Sequence, residues 1–422
     1  MKLWLLGLSL LVAGPVLAAE YAVLVAGSNG YWNYRHQADV CHAYHVLINH
    51  GFNPDNIIVF SYDDVPTAPL NPFPGTLYNA PGTNPKEYNA GCVKDYTGSA
   101  VNTNNFLAVL TGNKTGITGG NGKVLTSGPD DNVFINFVDH GAPGLIAFPV
   151  TYLYADQLNT ALTYMNVNNM YSKLVFYLEA CESGSMFSTL LPSNTHVFAT
   201  TATNTSVSSW GTYCPPDSVV NGKNLLTCLG DLYSVNWMQD SDAADFTVET
   251  LQEQFVKVRT LTTQSPVEQY GDMSFSSDTL DQFQGAGSTP SSVPDSDNNQ
   301  NWEAHLVKLQ FLQNLAQTNP TQENQQAYAQ EQAFHAQTSN NFYSFSLVLD
   351  PANQFQLMTA QKAPQDYQCL RGAVDAYEAA CGPLGEFGLK FVQVLVNACE
   401  SGFQQTAVSA ALSQSCSQVL YE

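Results

Sequence analysis

The stretch Leu174-Val-Phe-Tyr-Leu178 is an unbroken apolar run that leads directly into Glu179-Ala-Cys-Glu-Ser-Gly-Ser185. A second run, Val133-Phe-Ile-Asn-Phe-Val138, leads in the same way into Asp139-His140-Gly141. Apolar runs without polar alternation are typical of strands that are buried on both faces of a parallel sheet. The two runs therefore predict central strands whose carboxyl ends carry polar and nucleophilic side chains.

Strands and helices alternate on either side of these two runs. Further apolar runs predict strands at Tyr21–Ala26, Ile57–Phe60 and His196–Thr200. Apolar residues recur at helical spacing within Tyr34–His50, Leu158–Met165 and Val248–Val258. This alternation predicts an α/β domain, with a mostly parallel sheet flanked by helices.

The pattern changes near residue 284. Residues 285–299 combine Gly, Pro, Ser, Asp and Asn without periodicity, as linkers do. Beyond them the chain is rich in Gln, Asn and Ala with helical spacing, and residues 366–418 indicate helices that hold four cysteines. We therefore predict an α/β domain over residues 20–284, a linker over 285–335 and an all-α domain over 336–422, which is called the tail below.

The first 19 residues have a short positive start, a hydrophobic stretch and a small-residue exit, as a signal peptide does. A membrane anchor is the alternative, but the run is too short and Pro15 interrupts it. No later stretch approaches ~20 consecutive apolar residues, so no membrane span is predicted. The sequons at Asn113 and Asn204 are candidate glycosylation sites in a secretory compartment.

The composition excludes some classes of partner. The sequence has 14 Lys and Arg against 36 Asp and Glu, which gives a formal net charge of −22. Binding to nucleic acid or to an anionic membrane needs clusters of Lys and Arg, and the sequence has none. The hydrophobic share of 44% allows a sizeable core and argues against disorder.

The nine cysteines fall into groups. Four of them, in the tail, form an even set for which three pairings are open. Cys214 and Cys228 form a local pair around two prolines, and Cys41 is predicted to be a buried small hydrophobe. Because the total is odd, at least one thiol is free and is a candidate nucleophile.

The carboxyl ends of the two central strands predict an active site, since ligands bind at this edge of an open α/β sheet. Cys181 lies at a predicted helix start, where the helix dipole favours the thiolate. His140 on the neighbouring strand end could act as a base and then as an acid. The backbone N–H groups of Gly141 and Cys181 could hold an oxyanion. The alternative is a structural cysteine beside an ordinary loop histidine.

The segments Asp139–Gly141 and Glu179–Met186 resemble the two active-site motifs of the legumain family, the asparaginyl endopeptidases also called vacuolar processing enzymes in plants. The resemblance covers essentially the whole chain, including the four cysteines of the tail. Its further segments are Val25–Gly30, Asn33–Asp39, Lys94–Gly98, Asn105–Leu110, Ala199–Ala202, Ser208–Trp210 and Leu229–Trp237. The loop between Cys214 and Cys228 looks more like the plant members.

The resemblance implies a caspase-like fold with a death-domain-like inhibitory tail, and neither a cofactor nor a metal. Cys181 matches the nucleophile, His140 the general base and acid, Asn33 the residue that orients the histidine, and Gly141 an oxyanion donor. The matching pocket residues for an Asn side chain are Arg35, His36, Glu179, Ser209 and Asp231. Asp139 matches a position that can form an aspartimide, and the family pairing would join Cys369 to Cys399 and Cys381 to Cys416.

The resemblance also implies cellular context. Substrates would be proteins and peptides with an accessible Asn, or with a protonated Asp at acid pH. The tail would inhibit the enzyme until self-cleavage in the linker and activation peptide, for which Asn298, Asn299 and Asn301 are candidates. Cystatin-type inhibitors are further expected partners, and the expected location is the lysosome or vacuole, or secretion.

Two questions stay open at this level. Gly211 resembles the hydrolysing members of the family, whereas Ala142-Pro143 resembles the peptide-ligating ones, and we predict a protease with some transpeptidase activity.

The tail has three basic against seven acidic residues, so attraction between opposite charges cannot be what mainly holds it on an acidic domain. We hypothesise that carboxyl hydrogen bonds and apolar packing hold it. A peptide ligase, a non-enzymatic relative and a relative of the lipid-anchor transamidase are the competing interpretations.

Overall fold

The computed structural model describes residues 18–287 and 299–418, so the signal-peptide prediction and Asn298 lie outside the described residues. Its strands, in chain order, are β1 (Glu20–Ala26), β2 (Ile57–Phe60), β3 (Asn132–Val138), β4 (Gly141–Ala142), β5 (Leu145–Phe148), β6 (Thr151–Tyr154), β7 (Lys173–Glu179), β8 (Val197–Thr201), β9 (Trp210–Thr212), β10 (Val219–Val220), β11 (Lys223–Asn224), β12 (Gly230–Asp231), β13 (Glu268–Gly271) and β14 (Trp302–Glu303).

The helices, in chain order, are α1 (Tyr34–Asn49), α2 (Thr103–Leu110), α3 (Ala155–Val167), α4 (Leu232–Ala243), α5 (Leu251–Leu261), α6 (Val307–Thr318), α7 (Gln322–Leu349), α8 (Gln354–Thr359), α9 (Tyr367–Cys381), α10 (Gly385–Gly388), α11 (Val392–Cys399) and α12 (Gln405–Gln418). None of the helices in the described parts of the chain combines the length and the apolar character that a membrane crossing requires.

A six-stranded sheet organises residues 18–287, in the spatial order β13-β8-β7-β3-β1-β2. Five strands are parallel and β13 is antiparallel at one edge. The two runs that open the sequence argument form β3 and β7, which are adjacent and central, as predicted. Their register places Val138 beside Glu179, so the two chains leave the sheet side by side.

Apolar side chains fill both faces of the sheet. On one face α1, α4 and α5 supply buried residues, among them Val46, Trp237 and Phe255. On the other face α2 and α3 do so, and this cluster continues into the tail through Phe342 and Leu370. The sheet and tail therefore share one apolar core.

The region after residue 299 is largely helical. Helix α7 runs through residue 336 without a break, so the boundary predicted there is not an end of a secondary-structure element. Strand β14 comes from the predicted linker and pairs with β9 of the α/β domain. This pairing brings the chain back across the carboxyl edge of the sheet.

Four disulfides close loops of the chain. They join Cys214 to Cys228, Cys369 to Cys399 and Cys381 to Cys416, the three predicted pairs, and also Cys41 to Cys92. The prediction that Cys41 is only a buried small hydrophobe is therefore wrong. Its partner is 51 residues away, a distance over which local sequence gives no pairing signal.

Candidate active site

His140 and Cys181 emerge from the ends of β3 and β7 and approach each other across Gly141. A Cβ atom at Gly141 would collide with the backbone carbonyl oxygen of Cys181. The close approach of the two loops therefore requires glycine at this position. The predicted oxyanion donors, the N–H groups of residues 141 and 181, lie on these two adjoining backbones.

Cys181 is the single free cysteine of the described chain. Its Sγ is fully buried and accepts a hydrogen bond of 3.2 Å from the N–H of Ser209. Burial raises the pKa of the thiol to about 11, and hydrogen bonds from Ser209 offset only part of this effect. The thiol is therefore protonated in this covered state.

The expectation that a helix dipole activates Cys181 is wrong. The cysteine is followed by Glu182 in the left-handed backbone region, with φ of 48°, and then by a short 3-10 turn at Ser183–Met186. The macrodipole effect needs aligned peptide units over a longer helix. Activation of this thiol therefore requires a base and the removal of whatever buries it.

His140 lies within hydrogen-bond distance of Asn33, and the orienting role of Asn33 stays a prediction. The His140 Nε2 lies 2.9 Å from the Asn33 Oδ1, and the Asn33 Nδ2 donates to the Asn29 carbonyl oxygen at 3.0 Å. The tail places the Glu386 carboxylate here as well, 3.5 Å from the His140 Nε2. The sequence argument did not identify this glutamate.

Glu386 is held by donors from the α/β domain. Trp32 Nε1 donates to its Oε1 at 2.7 Å and Asn33 Nδ2 does so at 2.6 Å. Burial by itself would raise the pKa of this carboxyl. The charge of His140 and the hydrogen bonds outweigh burial and lower the pKa to about 2. Glu386 is therefore ionised in the covered state.

Four of the five predicted pocket residues form one buried charged cluster. Arg35, which is fully buried, donates from Nε to the Asp231 Oδ1 at 2.8 Å. His36 Nε2 lies 3.5 Å from the other Asp231 oxygen, and the Glu179 Oε2 accepts from the N–H of Ser234 at 3.0 Å. Burial lowers the pKa of His36 and raises that of Glu179 well away from their usual values.

Some buried polar atoms of this cluster are not satisfied by the protein. The Arg35 Nη2, the Asp231 Oδ2 and the Glu179 Oε1 are buried without a hydrogen-bond partner. Buried polar groups are normally paired, and an unpaired one costs about 1–3 kcal/mol. An unpaired donor beside unpaired acceptors fits a ligand that offers both an acceptor and a donor, as a carboxamide does.

Asp39 is a supporting residue that the sequence argument did not single out. Its Oδ2 accepts from the backbone N–H of Asp231 at 3.0 Å, and its Oδ1 accepts from the Asn79 Nδ2 at 2.6 Å. It lies four residues after Arg35 on α1, so the two share one helix face. That spacing was the signal that could have revealed it.

Residues 302–305 cross the site and are called the strap. Trp302 lies opposite Gly211 and Glu303 opposite Trp210 in an antiparallel pairing. The N–H of Ala304 donates to the Ser209 carbonyl oxygen at 3.0 Å, and His305 Nε2 lies 3.2 Å from the Gly141 carbonyl oxygen. The strap therefore passes over Cys181 as an added strand, and its backbone is hydrogen-bonded to Ser209 of the predicted pocket.

The tail meets the α/β domain through a few polar contacts around its apolar face. Tyr152 OH donates to the Glu378 Oε1 at 2.9 Å, and one Arg371 nitrogen donates to both oxygens of Asp156. Lys390 lies 2.8 Å from Glu303 of the strap. Glu378 thus accepts from an uncharged donor of the domain, in line with the hypothesis for an acidic tail, while Arg371 and Lys390 add two ion pairs of opposite charge.

The positions suspected of setting the balance of hydrolysis and ligation surround Cys181. A Cβ at Gly211 would lie 3.0 Å from the Cys228 Sγ and 3.3 Å from the Arg35 Cδ, so packing favours glycine there. Ala142 is fully buried. Pro143 lines an open cleft of about 490 Å³ together with Glu182 and Trp210.

The remaining predicted residues lie apart from this cluster or at its border. Asp139 is buried beside His36, and burial raises its pKa to about 7. Asn113 is exposed and Asn204 is half-buried, and their glycosylation stays a prediction. Asn299 and Asn301 immediately precede the strap, and self-cleavage there likewise stays a prediction.

Comparison with known proteins identifies the family. Residues 20–286 match the Peptidase C13 family, and residues 337–416 match the legumain prodomain. A vacuolar-processing enzyme of Vicia sativa is 39% identical over 430 residues, covering 95% of this chain and 86% of its own length. A legumain of Canavalia ensiformis is 37% identical, covering 95% and 89%.

Among solved structures, caspase-1 from Spodoptera frugiperda aligns with a TM-score of 0.37 at 10% identity, over 64% of this chain and 91% of its own. The sequence relatives decide the assignment, because they match both the α/β domain and the tail. The chain therefore belongs to the Peptidase C13 or legumain family of cysteine endopeptidases and carries the family's prodomain.

Proposed function

We propose that the chain is the zymogen of an endopeptidase that cleaves peptide bonds after asparagine. The observation that carries this proposal is the buried pocket, in which Arg35 and two carboxylates keep unpaired donor and acceptor atoms next to Cys181. An Asn side chain offers a carbonyl oxygen to the arginine and an amide to the carboxylates. An apolar side chain would leave these groups unpaired, so the pocket discriminates strongly.

The reaction proceeds through a thioester. His140 takes the thiol proton of Cys181, and the sulfur attacks the scissile carbonyl carbon. The N–H groups of Gly141 and Cys181 stabilise the developing oxyanion. His140 then returns the proton to the leaving amine, and a water molecule, deprotonated by the same histidine, hydrolyses the thioester.

A panel of peptides that differ only in the residue before the cut tests this function. On the activated enzyme, Asn is expected to be cleaved at about pH 5 and about pH 7, and Asp only at the lower pH, because its carboxyl (ordinary pKa about 3.9) must be protonated to mimic the amide. Leu and Gln peptides are the controls and should stay intact. Equal cleavage of Leu and Asn would contradict the proposed pocket.

Hydrolysis is expected to dominate over ligation. An Asn-Gly-Leu-tailed peptide at about pH 6.5, where an ordinary histidine is half protonated, should give mostly the free acid. Mass spectrometry distinguishes this product from a joined or cyclic one. A predominance of joined product would make the enzyme a ligase, the second candidate function, for which Ala142-Pro143 is the supporting feature.

The strap gives the zymogen a physical basis. It adds to β9 in the manner of an extended peptide, and it places Ala304, hydrogen-bonded to Ser209, at the entrance of the pocket. A methyl group offers neither a donor nor an acceptor to the unpaired atoms of Arg35 and Glu179. The strap thus occupies the cleft without the side chain that cleavage requires.

Acid releases the tail partly through Glu386. A carboxyl whose pKa is lowered from 4.5 to about 2 stabilises the closed state above pH 4.5, and this contribution is lost as the pH falls towards 2. Loss of negative charge in both halves also relieves repulsion between them. A vacuole, which the names of the plant relatives indicate, would supply an acidic surrounding.

The Glu386→Gln variant tests this latch. Removal of a charge-assisted hydrogen bond worth about 1.5–3 kcal/mol should weaken closure about 10- to 100-fold, so self-cleavage should begin at a higher pH than in the wild type. Gel analysis of the intact chain across a pH series measures the shift. Glu378→Gln, which alters a contact with the uncharged Tyr152, is the matched control, and the same shift in both variants would contradict a specific latch.

A further inference from the structure

Cys181, Glu182 and His305 form a second cluster over the nucleophile. One ligand-type atom from each residue lies within 4.8 Å of the other two, and all three side chains are buried. Cys181 and Glu182 belong to the α/β domain, whereas His305 belongs to the strap. The cluster therefore exists only while the strap covers the site.

The three groups match the ligand preferences of zinc. Thiolate, imidazole and carboxylate are its usual protein ligands, at about 2.0–2.3 Å from the metal. Tetrahedral geometry with these bond lengths separates ligand atoms by about 3.3–3.6 Å, so side-chain movements of about 1 Å would close the site. The open cleft bordered by Glu182 leaves access for a water molecule as a fourth ligand.

Two independent observations indicate that the cluster lacks a ligand. The Glu182 Oε2 is buried without a hydrogen-bond partner. His305 donates from Nε2 to the Gly141 carbonyl oxygen, which leaves the lone pair on Nδ1. The Ser208 hydroxyl lies 3.4 Å from this Nδ1 but donates its proton to Glu303 at 2.9 Å. A backbone carbonyl that fixes the ring in this way is the usual outer-shell partner of a ligating histidine.

The charges around the cluster would balance with a divalent ion. The neighbouring Glu303 and Lys390 pair with each other at 2.8 Å and add no net charge. Metal binding would displace the proton of the Cys181 thiol to solvent. The thiolate and the Glu182 carboxylate would then carry two negative charges, and no ion pair with Glu182 occurs within the described residues. Zn²⁺ would neutralise both.

We propose that the zymogen binds one zinc ion through Cys181, Glu182 and His305, and that the metal fastens the strap over the nucleophile. The inference rests on the strap being the inhibitory segment of the proposed zymogen. It differs from the sequence-based expectation, which implied no metal. Since one ligand leaves with the strap, activation would release the ion.

Titration of the intact chain with Cd²⁺, a zinc substitute with a thiolate-to-metal ultraviolet absorption, tests the site directly. We expect saturation at one ion per chain, and calorimetry with Zn²⁺ should give the same stoichiometry. His305→Gln should weaken binding at least about 100-fold, since losing even an outer-shell partner costs 10- to 100-fold. Cys181→Ser should remove the absorption band. His196→Gln, at an exposed histidine, is the control and should bind as the wild type does.

Several outcomes would overturn the proposal: no binding by the intact chain, undiminished Zn²⁺ affinity in His305→Gln, or equal affinity in the activated enzyme. Circular dichroism of the metal-free variants checks that they fold, and Glu182→Gln provides a second variant if one does not. The peptide panel on activated enzyme involves no strap, so failure of the zinc site and failure of the proposed activity are distinguishable.

Discussion

The Cys181→Ala variant is expected to lose all measurable cleavage of Asn peptides, a decrease on the order of 10⁵- to 10⁶-fold in kcat. The expectation follows because this is the single free thiol of the described chain and stands beside His140 at the strand ends. The intact chain of this variant should also stay uncut at acid pH. Steady-state assays and mass analysis of the acid-treated chain measure the two effects.

Ser188→Ala, at an exposed serine a few residues further along, is the control and should cleave as the wild type does. Unchanged circular dichroism would show that the alanine at position 181 leaves the fold intact. Retention of even a few per cent of the wild-type activity would contradict a covalent role for Cys181. It would instead support the interpretation as a non-enzymatic relative.

The Ala304→Asn variant is expected to cut itself after residue 304 at about neutral pH, where the wild-type chain stays closed. A polar pocket built to hydrogen-bond its ligand discriminates by about 10⁴ against a residue that lacks the bonds. An asparagine at this position would supply the missing partners of Arg35 and Glu179 while its N–H keeps the bond to Ser209. Mass spectrometry of the new carboxyl terminus locates the cut.

Two controls sharpen this test. Ala304→Gly keeps the strap and offers no side chain, so that chain should remain intact at neutral pH. The double variant with Cys181→Ala should also remain intact, which would exclude a contaminating protease. If the Ala304→Asn chain stays uncut while the activated enzyme cleaves Asn peptides, residue 304 does not occupy the specificity pocket.

Local pattern was sufficient for the parallel sheet and for placing His140 and Cys181 at one edge of it. The runs at Val133–Val138 and Leu174–Leu178 are too apolar for any position other than a doubly covered sheet, and they became the adjacent strands β3 and β7. Residues that follow such strands meet at one edge of the sheet. The neighbouring positions of His140 and Cys181 were therefore predictable from the strands, and the family resemblance supplied their expected roles and the pocket.

The protonation state of the Cys181 thiol could not be predicted from local sequence in the same way. A predicted helix start favoured a Cys181 thiolate. The structure has only a short 3-10 turn there, and burial under the strap raises the pKa of the thiol to about 11. Burial depends on which distant segment covers a group. In this chain the cover comes from residues more than a hundred positions away.

By itself the sequence determined the strands and the edge at which His140 and Cys181 meet, because each strand is a short contiguous pattern. It also determined the family, because the resemblance extends over almost the whole chain. Only the tertiary structure decided what closes the site. The disulfide of Cys41 with Cys92, the reach of Glu386 to Asn33 across 353 positions and the alignment of Ala304 with Ser209 join segments that no local pattern links. Such contacts arise from shape and burial in the folded chain, where hydrogen bonds and charges interact through space rather than along the sequence.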